Sequence, residues 1–179
     1  MRPAQAQYIL GLGGNLGDRA AIIAEAIKSL HRLPNTEVLR VSPAYETKPV
    51  GYGPQPDFIN LCAALSSALE PEALLAGTLA IEAAAGRVRS PNRDGPRTLD
   101  IDLLFHRGGN HASATLTLPH PRWKSRGFVV IPLGQLLDDA IIVGDAAWDS
   151  LRHEVAALTM DATGLRAWQG PTPWITKTG

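Results

Sequence analysis

Arg97-Thr98-Leu99-Asp100-Ile101-Asp102-Leu103-Leu104-Phe105 is an apolar run carrying two carboxylates at alternate positions, and it reads as a β-strand. Side chains two apart on a strand point the same way, about 6–7 Å apart at the backbone. Asp100 and Asp102 therefore share one face, while Leu99, Ile101, Leu103 and Phe105 share the other. The strand closes a series. Tyr8–Leu12 reads as a strand entering the glycine turn Gly13–Gly17. A helix follows, capped by Asp18, with a stripe at Ile23, Ile27, Leu30 and Leu33, and Pro34 ends it. Glu37–Val41 and Asp57–Leu69 read as strands, separated by a proline- and glycine-rich loop over Thr47–Pro56. Pro71 opens a second helix with a stripe at Leu74, Leu75, Leu79 and Ile81, and Gly86 ends it. Strand, helix, strand, strand, helix, strand is a pair of split βαβ units. It predicts an α+β fold with an antiparallel sheet and helices packed on it.

Downstream the pattern weakens. Leu116–Leu118 suggests a short strand, Ser125 a cap for a helix over Arg126–Leu137 interrupted by Pro132, and 149–158 a last helix. We expect one domain over residues 1–160 and a weakly ordered tail over 161–179, rich in Thr, Pro and Gly, which Trp168 and Trp174 can pin in places.

The 179 residues carry no net charge, so no global field draws nucleic acid or anionic lipid. An anion site must be local, and Arg87, Arg89, Arg93 and Arg97 form the dense basic cluster. The lone cysteine, Cys62, excludes an internal disulfide and fits a reducing compartment; within an apolar strand it reads as a buried thiol. The N-terminus resembles neither signal peptide nor anchor, and no stretch is long and apolar enough to span a bilayer, so a cytoplasmic protein is expected.

Two carboxylates side by side on an apolar strand repel each other and resist desolvation. A divalent cation relieves both costs, and arginines beside it suit a magnesium–polyphosphate complex. The competing reading is a solvated sheet face on which Asp100 and Asp102 pair with Arg97 and Arg107. Gly11-Leu12-Gly13-Gly14-Asn15-Leu16-Gly17 is no nucleotide fingerprint: the dinucleotide pattern needs glycine where Leu16 stands, and the P-loop ending Gly-Lys-Ser/Thr is missing. It is either a tight turn or a close backbone approach to a ligand. Phe58 and Asn60 share a strand face and suit a flat heterocycle, by ring stacking and amide readout, or else are a core phenylalanine and a backbone-bonded asparagine. His31, His106, His111, His120 and His153 lack zinc spacing. His120, between Pro119 and Pro121, either contacts a phosphate or belongs only to a turn.

In order along the chain, six stretches resemble the family of 6-hydroxymethyl-7,8-dihydropterin pyrophosphokinases of folate biosynthesis. They are Leu12–Arg19, Tyr45–Gly51, Gln55–Asn60, Ile81-Glu82 with Gly86–Arg89, Gly95–Asp102, and Leu118–Arg122 with Arg126–Phe128. Gly-Pro-Arg-Thr-Leu-Asp-Ile-Asp is the most specific of them. The resemblance implies a ferredoxin-like fold and transfer of the ATP pyrophosphoryl group to the pterin hydroxymethyl oxygen, leaving AMP. By the same resemblance Asp100 and Asp102 hold two Mg2+ ions. Glu82, Arg87, Arg89, Arg93, Arg97, His120 and Arg126 bind ATP, with Arg87 and Arg97 joining the acids as catalytic groups. Phe58 and Phe128 sandwich the pterin, Asn60 bonds its edge, and Thr47, Lys48 and Val50 line its pocket. The loops 47–56 and 88–96 are expected to close over the phosphates, and the protein is expected to be a monomer that binds neither nucleic acid nor membrane. Several positions depart from the family pattern: Gly14 for serine, Lys48 for proline or glutamate, Phe58 for tyrosine, Asp94 for an aromatic, and Pro121 as a common variant.

Two rivals remain on the sequence. One is a catalytically silent ferredoxin-like module binding nucleotide or RNA, against which stand the zero net charge and the missing aromatic RNA-binding signature. The other is a metal-dependent nuclease using the same acid pair, told apart by its product.

Overall fold

The computed structural model describes residues 5–49, 53–89 and 95–174. Chain order is β1 (Tyr8–Gly14), α1 (Arg19–His31), β2 (Thr36–Val41), β3 (Tyr45–Thr47), β4 (Phe58–Ser67), α2 (Pro71–Ala84) and β5 (Asp100–His106). Then come β6 (His111–Ala112), β7 (Thr117–Leu118), a 3-10 turn at Trp123–Ser125, α3 (Gly127–Leu137), α4 (Ala146–Ala157) and β8 (Leu165–Ala167). The main sheet runs β5-β1-β4-β3-β8, with β2 also pairing β4; every pairing is antiparallel. β6 and β7 form a separate ribbon.

The sheet has a buried cluster on each face. On one face α1 and α2 cover Leu10, Leu12, Ile59, Leu61, Leu99 and Ile101, with Ile23, Ile27, Leu30 and Leu74 from the helices. On the other, α3 and α4 cover Ile9, Cys62, Ala64, Leu104 and Phe105, with Val130, Leu133, Trp148 and Leu151. Burying one stripe of each helix against a sheet face is what makes these elements stable together.

Local signals hold where the chemistry is local. The Asp18 side chain accepts the Ala21 N–H at 3.1 Å, Pro71 stands in the first turn of α2, and Gly86 leaves that helix with φ +78°. Three readings are corrected. Ser125 does not cap α3: Arg126 is its N-cap residue, and the Ser125 hydroxyl donates to the Arg122 carbonyl instead. The buried stripe of α2 is Pro71, Leu74, Thr78 and Glu82, while Leu79 is exposed, because the helix turns two polar residues toward the sheet. Phe105 leaves the face of Leu99, Ile101 and Leu103 for the opposite cluster. The β1–β5 register shifts between Ile9 and Leu10, so Ile9 lies opposite Phe105 and Leu10 opposite Leu103, with Leu104 extra. One inserted residue flips every side chain beyond it.

The three-residue β3 is absent from the sequence reading, being too short to show a period. The chain after residue 160, read from composition as a weakly ordered tail, contributes β8 beside β3 and buries Trp174 in the first cluster. Val50, Asp94, Arg93 and the tips of both expected closing loops lie outside the described residues.

Candidate active site

β5 brings the acids to the sheet face that α3 covers only in part. Asp102 lies opposite Gly11 of β1, and Asp100 opposite Gly13; across β1 these glycines face Cys62 and Asn60 of β4. With no side chain on β1 between the acids and Asn60, a cleft of about 790 Å³ opens over the strands. The approach is close at Gly13, where a Cβ would sit 2.4 Å from Asn60 Oδ1 and 3.2 Å from the Ile59 carbonyl oxygen. It is tighter still at Gly14, where a Cβ would meet the Thr98 carbonyl oxygen at 2.3 Å. Any side chain at position 14 would therefore require the backbone itself to shift.

The acids are held by guanidinium groups. Arg87 Nη1 donates to Asp100 Oδ1, Arg97 Nη1 to Asp100 Oδ2 at 2.7 Å, and Arg126 Nη1 to Asp102 Oδ2 at 3.1 Å. Arg107, offered in the sequence as a partner, pairs with Asp145 instead. Burial, then the neighbouring Asp100, pushes the Asp102 carboxyl above its ordinary range against the pull of His120 and Arg126. Burial and the repulsion of a second carboxylate are both costs that a cation bound between the acids would relieve. Hard carboxylate oxygens on one strand face, with open cleft in front, suit magnesium, which keeps several ligands from water and phosphate rather than from protein. No group of three or more His, Cys, Asp or Glu side chains gathers as a cage among the described residues.

Beneath the arginines lies Glu82, 3% exposed. Its Oε1 accepts the Ile101 N–H at 2.8 Å and pairs with Arg87 Nη1 at 2.6 Å; Arg89 Nη2 stands 3.6 Å from Oε2. Burial raises the Glu82 pKa despite the Ile101 N–H and Arg87. This carboxylate anchors β5 and aims Arg87, and does not line the cleft. His120 also stays out of the lining; its N–H donates to the Leu104 carbonyl and its Nδ1 accepts the Arg122 N–H. Burial lowers its pKa against the pull of Asp102, which favours the neutral ring.

Thr47, Lys48, Phe58, Asn60, Arg87, Arg89, Arg97, Asp100, Asp102, Arg126 and Phe128, singled out in the sequence, all line the cleft. Arg97 lies 5.8 Å from the Phe58 ring centroid, and Arg126 5.6 Å from that of Phe128. Each aromatic therefore adjoins a cation that grips an acid. Asn60 Nδ2 donates to Thr47 Oγ1 at 2.8 Å, fixing the amide. Val50 and Arg93 fall outside the described residues.

Arg122 and Ser125 line the cleft too and were missed as site residues, although the Pro-His-Pro-Arg turn was noticed. Asn15 was missed as well. It is 2% exposed, donates to Gln55 Oε1 at 2.8 Å and the Pro56 carbonyl at 2.9 Å, and accepts the Arg97 N–H at 2.8 Å. The glycine turn is thus a clasp that joins the segment entering β4 to the arginine loop. Only partners distant in sequence reveal that role.

The profile of the 7,8-dihydro-6-hydroxymethylpterin-pyrophosphokinase family matches residues 9–138. This chain belongs to that family. It is 41% identical over 142 residues to the 2-amino-4-hydroxy-6-hydroxymethyldihydropteridine pyrophosphokinase of Methylorubrum extorquens, covering 79% of this chain and 89% of that protein. It is 35% identical over 160 residues to the protein of the same name in Bacillus subtilis, covering 89% of each. A solved structure described as HPPK-DHPS in complex with substrates superposes with a TM-score of 0.57 at 13% identity, over 84% of this chain and 43% of that one, and so shares the fold. The pyrophosphokinase family accounts for the ferredoxin-like arrangement of β1, β2, β4, β5, α1 and α2. Among the described residues no helix is long and apolar enough to cross a membrane.

Proposed function

We propose that this cleft transfers the pyrophosphoryl group of ATP to the hydroxymethyl oxygen of 6-hydroxymethyl-7,8-dihydropterin, releasing AMP, with Asp100 and Asp102 holding two Mg2+ ions. The observation that carries the reading is the placement of both acids on one strand face of the open cleft, ringed by Arg87, Arg97 and Arg126. Bound magnesium would neutralise polyphosphate charge and acidify the attacking hydroxyl. The remaining roles belong to the chain. Arg87, Arg97 and Arg126 exchange part of their hold on the acids for the phosphate oxygens, with Arg89 and Arg93 joining from the loop. Glu82 keeps Arg87 aimed and His120 orders the turn before Arg126. Phe58 and Phe128 stack the pterin, while Asn60, Thr47, Lys48 and Val50 meet its edge. Displacement at the β-phosphorus needs alignment and charge neutralisation rather than a covalent intermediate.

The same proposal takes the chain as one pyrophosphokinase domain, to which β8 and Trp174 belong beyond the expected end at residue 160, and the protein as a cytoplasmic monomer. Cys62, fully buried with its pKa raised by burial, is consistent with a thiol that stays reduced. Incubation with MgATP and 6-hydroxymethyl-7,8-dihydropterin is expected to yield AMP and the pterin diphosphate in equal amounts. Release of ADP, or of AMP without pterin consumption, would refute the reaction. Cleavage of a polynucleotide would favour the nuclease reading.

A further inference from the structure

Residues 158–168 touch both walls of the pterin side of the cleft. Leu158 and Met160 pack against the second core cluster. A Cβ on Gly127 would lie 3.3 Å from the Asp161 carbonyl oxygen, so the chain here abuts the start of α3, beside Arg126 and Phe128. It turns at Gly164, φ +80°, and enters β8, which pairs with β3 so that Leu165 lies opposite Thr47. The Lys48 N–H donates to the Gly164 carbonyl at 3.4 Å, and the Trp168 N–H to the Ala44 carbonyl at 2.9 Å.

Side chains reinforce the joint. Arg166 donates from Nε to Glu46 Oε2 at 3.0 Å and from Nη2 to Asp57 Oδ2 at 2.9 Å. Arg19 pairs with Glu46 Oε1 at 2.9 Å, donates to the Asp57 carbonyl at 2.7 Å and lies 5.1 Å from the Trp168 ring centroid. Two arginines and two acids thus tie together β3, the entry to β4, the start of α1 and β8. Burial pulls the other way, yet the hydrogen bonds from Arg166 and Arg19 hold Glu46 below the usual carboxylate range. Everything contributed by 158–168 lies beyond the family-matched residues 9–138.

We propose that the segment 158–168 is a strap that positions the pterin-facing edge of the cleft, holding β3 so that Thr47 and Lys48 stand ready against Asn60 and Phe58. The proposal rests on the assignment of those four residues to the pterin. A three-residue strand at a sheet edge is weakly held and opens readily. With β8 on its outer side β3 becomes an interior strand. Order installed before the substrate arrives removes part of the entropic cost of binding it.

The test uses Arg166→Glu and Arg166→Lys in the full chain. The Arg166 side chain is 62% exposed, so neither change disturbs the core. Arg166→Glu sets a carboxylate against Glu46 and Asp57, and should raise KM for the pterin about fivefold, near the ceiling for an exposed ion pair. It should leave kcat, KM for MgATP and the melting temperature unchanged, and Arg166→Lys should restore the wild-type value. Amide exchange over residues 45–48 should quicken in Arg166→Glu and slow again on pterin binding. An unchanged pterin KM alongside faster exchange would overturn the strap alone. So would a parallel rise in both KM values with a fall in melting temperature, the mark of a merely structural role. Wild-type protein that releases no AMP with this pterin would overturn the underlying assignment and the strap with it.

Discussion

Asp100 is the residue on which the site converges, since it receives both Arg87 and Arg97. Asp100→Ala should leave the fold intact, because the side chain sits on the cleft face rather than in either core cluster. It should lower AMP release by about a thousandfold, the equivalent of several kcal/mol of charge stabilisation. Near-normal release from a variant with wild-type circular dichroism would remove the metal role. Arg97→Ala should cost about 2–4 kcal/mol of transition-state stabilisation, seen in kcat. If only KM for ATP rises, Arg97 supplies uniform binding instead. Gly14 is a packing constraint at the same scale. Gly14→Ala places a methyl 2.3 Å from the Thr98 carbonyl oxygen, where nothing but backbone can give way. We expect it to lower stability by about 1–3 kcal/mol in urea titrations, as overpacking does. A neutral result would mean that the β1–β5 approach relaxes freely.

At the scale of elements, α4 shows how one carboxylate ties a helix to the sheet. Asp145 caps α4 through the Ala147 N–H at 3.1 Å and pairs with Arg107 just past β5. The hydrogen bond from Arg107, then that from Ala147, outweighs partial burial and lowers the Asp145 pKa. A lowered native pKa means that the unfolded chain takes up the proton first as pH falls. The stabilisation is therefore whole above about pH 4, the ordinary aspartate value, and is lost as pH drops through the lower native value. Asp145→Asn should flatten that part of the melting-temperature profile, and Asp145→Ala should cost about 1 kcal/mol at neutral pH from the lost cap. Equal acid slopes in wild type and Asp145→Asn would assign the acid sensitivity elsewhere.

For the whole molecule, β1, β4 and β5 supply residues to both core clusters, so neither cluster can melt without the other. Leu30→Ala in the first and Leu133→Ala in the second should each cost about 2–5 kcal/mol and shift one common calorimetric transition. Two separable transitions would show that the two faces of the sheet unfold independently.

The alternation of Asp100 and Asp102, the Asp18 cap, Pro71 and the order of the longer elements β1, α1, β2, β4, α2 and β5 are legible in the chain, because each depends on neighbours within a few residues. The two-residue spacing by itself puts the acid pair on one strand face. What only the tertiary structure decided are the meetings of distant residues. Glu82 turns inward to hold Ile101 and Arg87; Asn15 clasps Gln55, Pro56 and Arg97; Arg126 rather than Arg107 finds Asp102; and Leu165–Ala167 joins Tyr45–Thr47. The Leu104 bulge belongs with them, since a register exists only between two strands. Periodicity records which way a side chain points along its own element, while what it meets there is set by packing chains that sequence holds far apart.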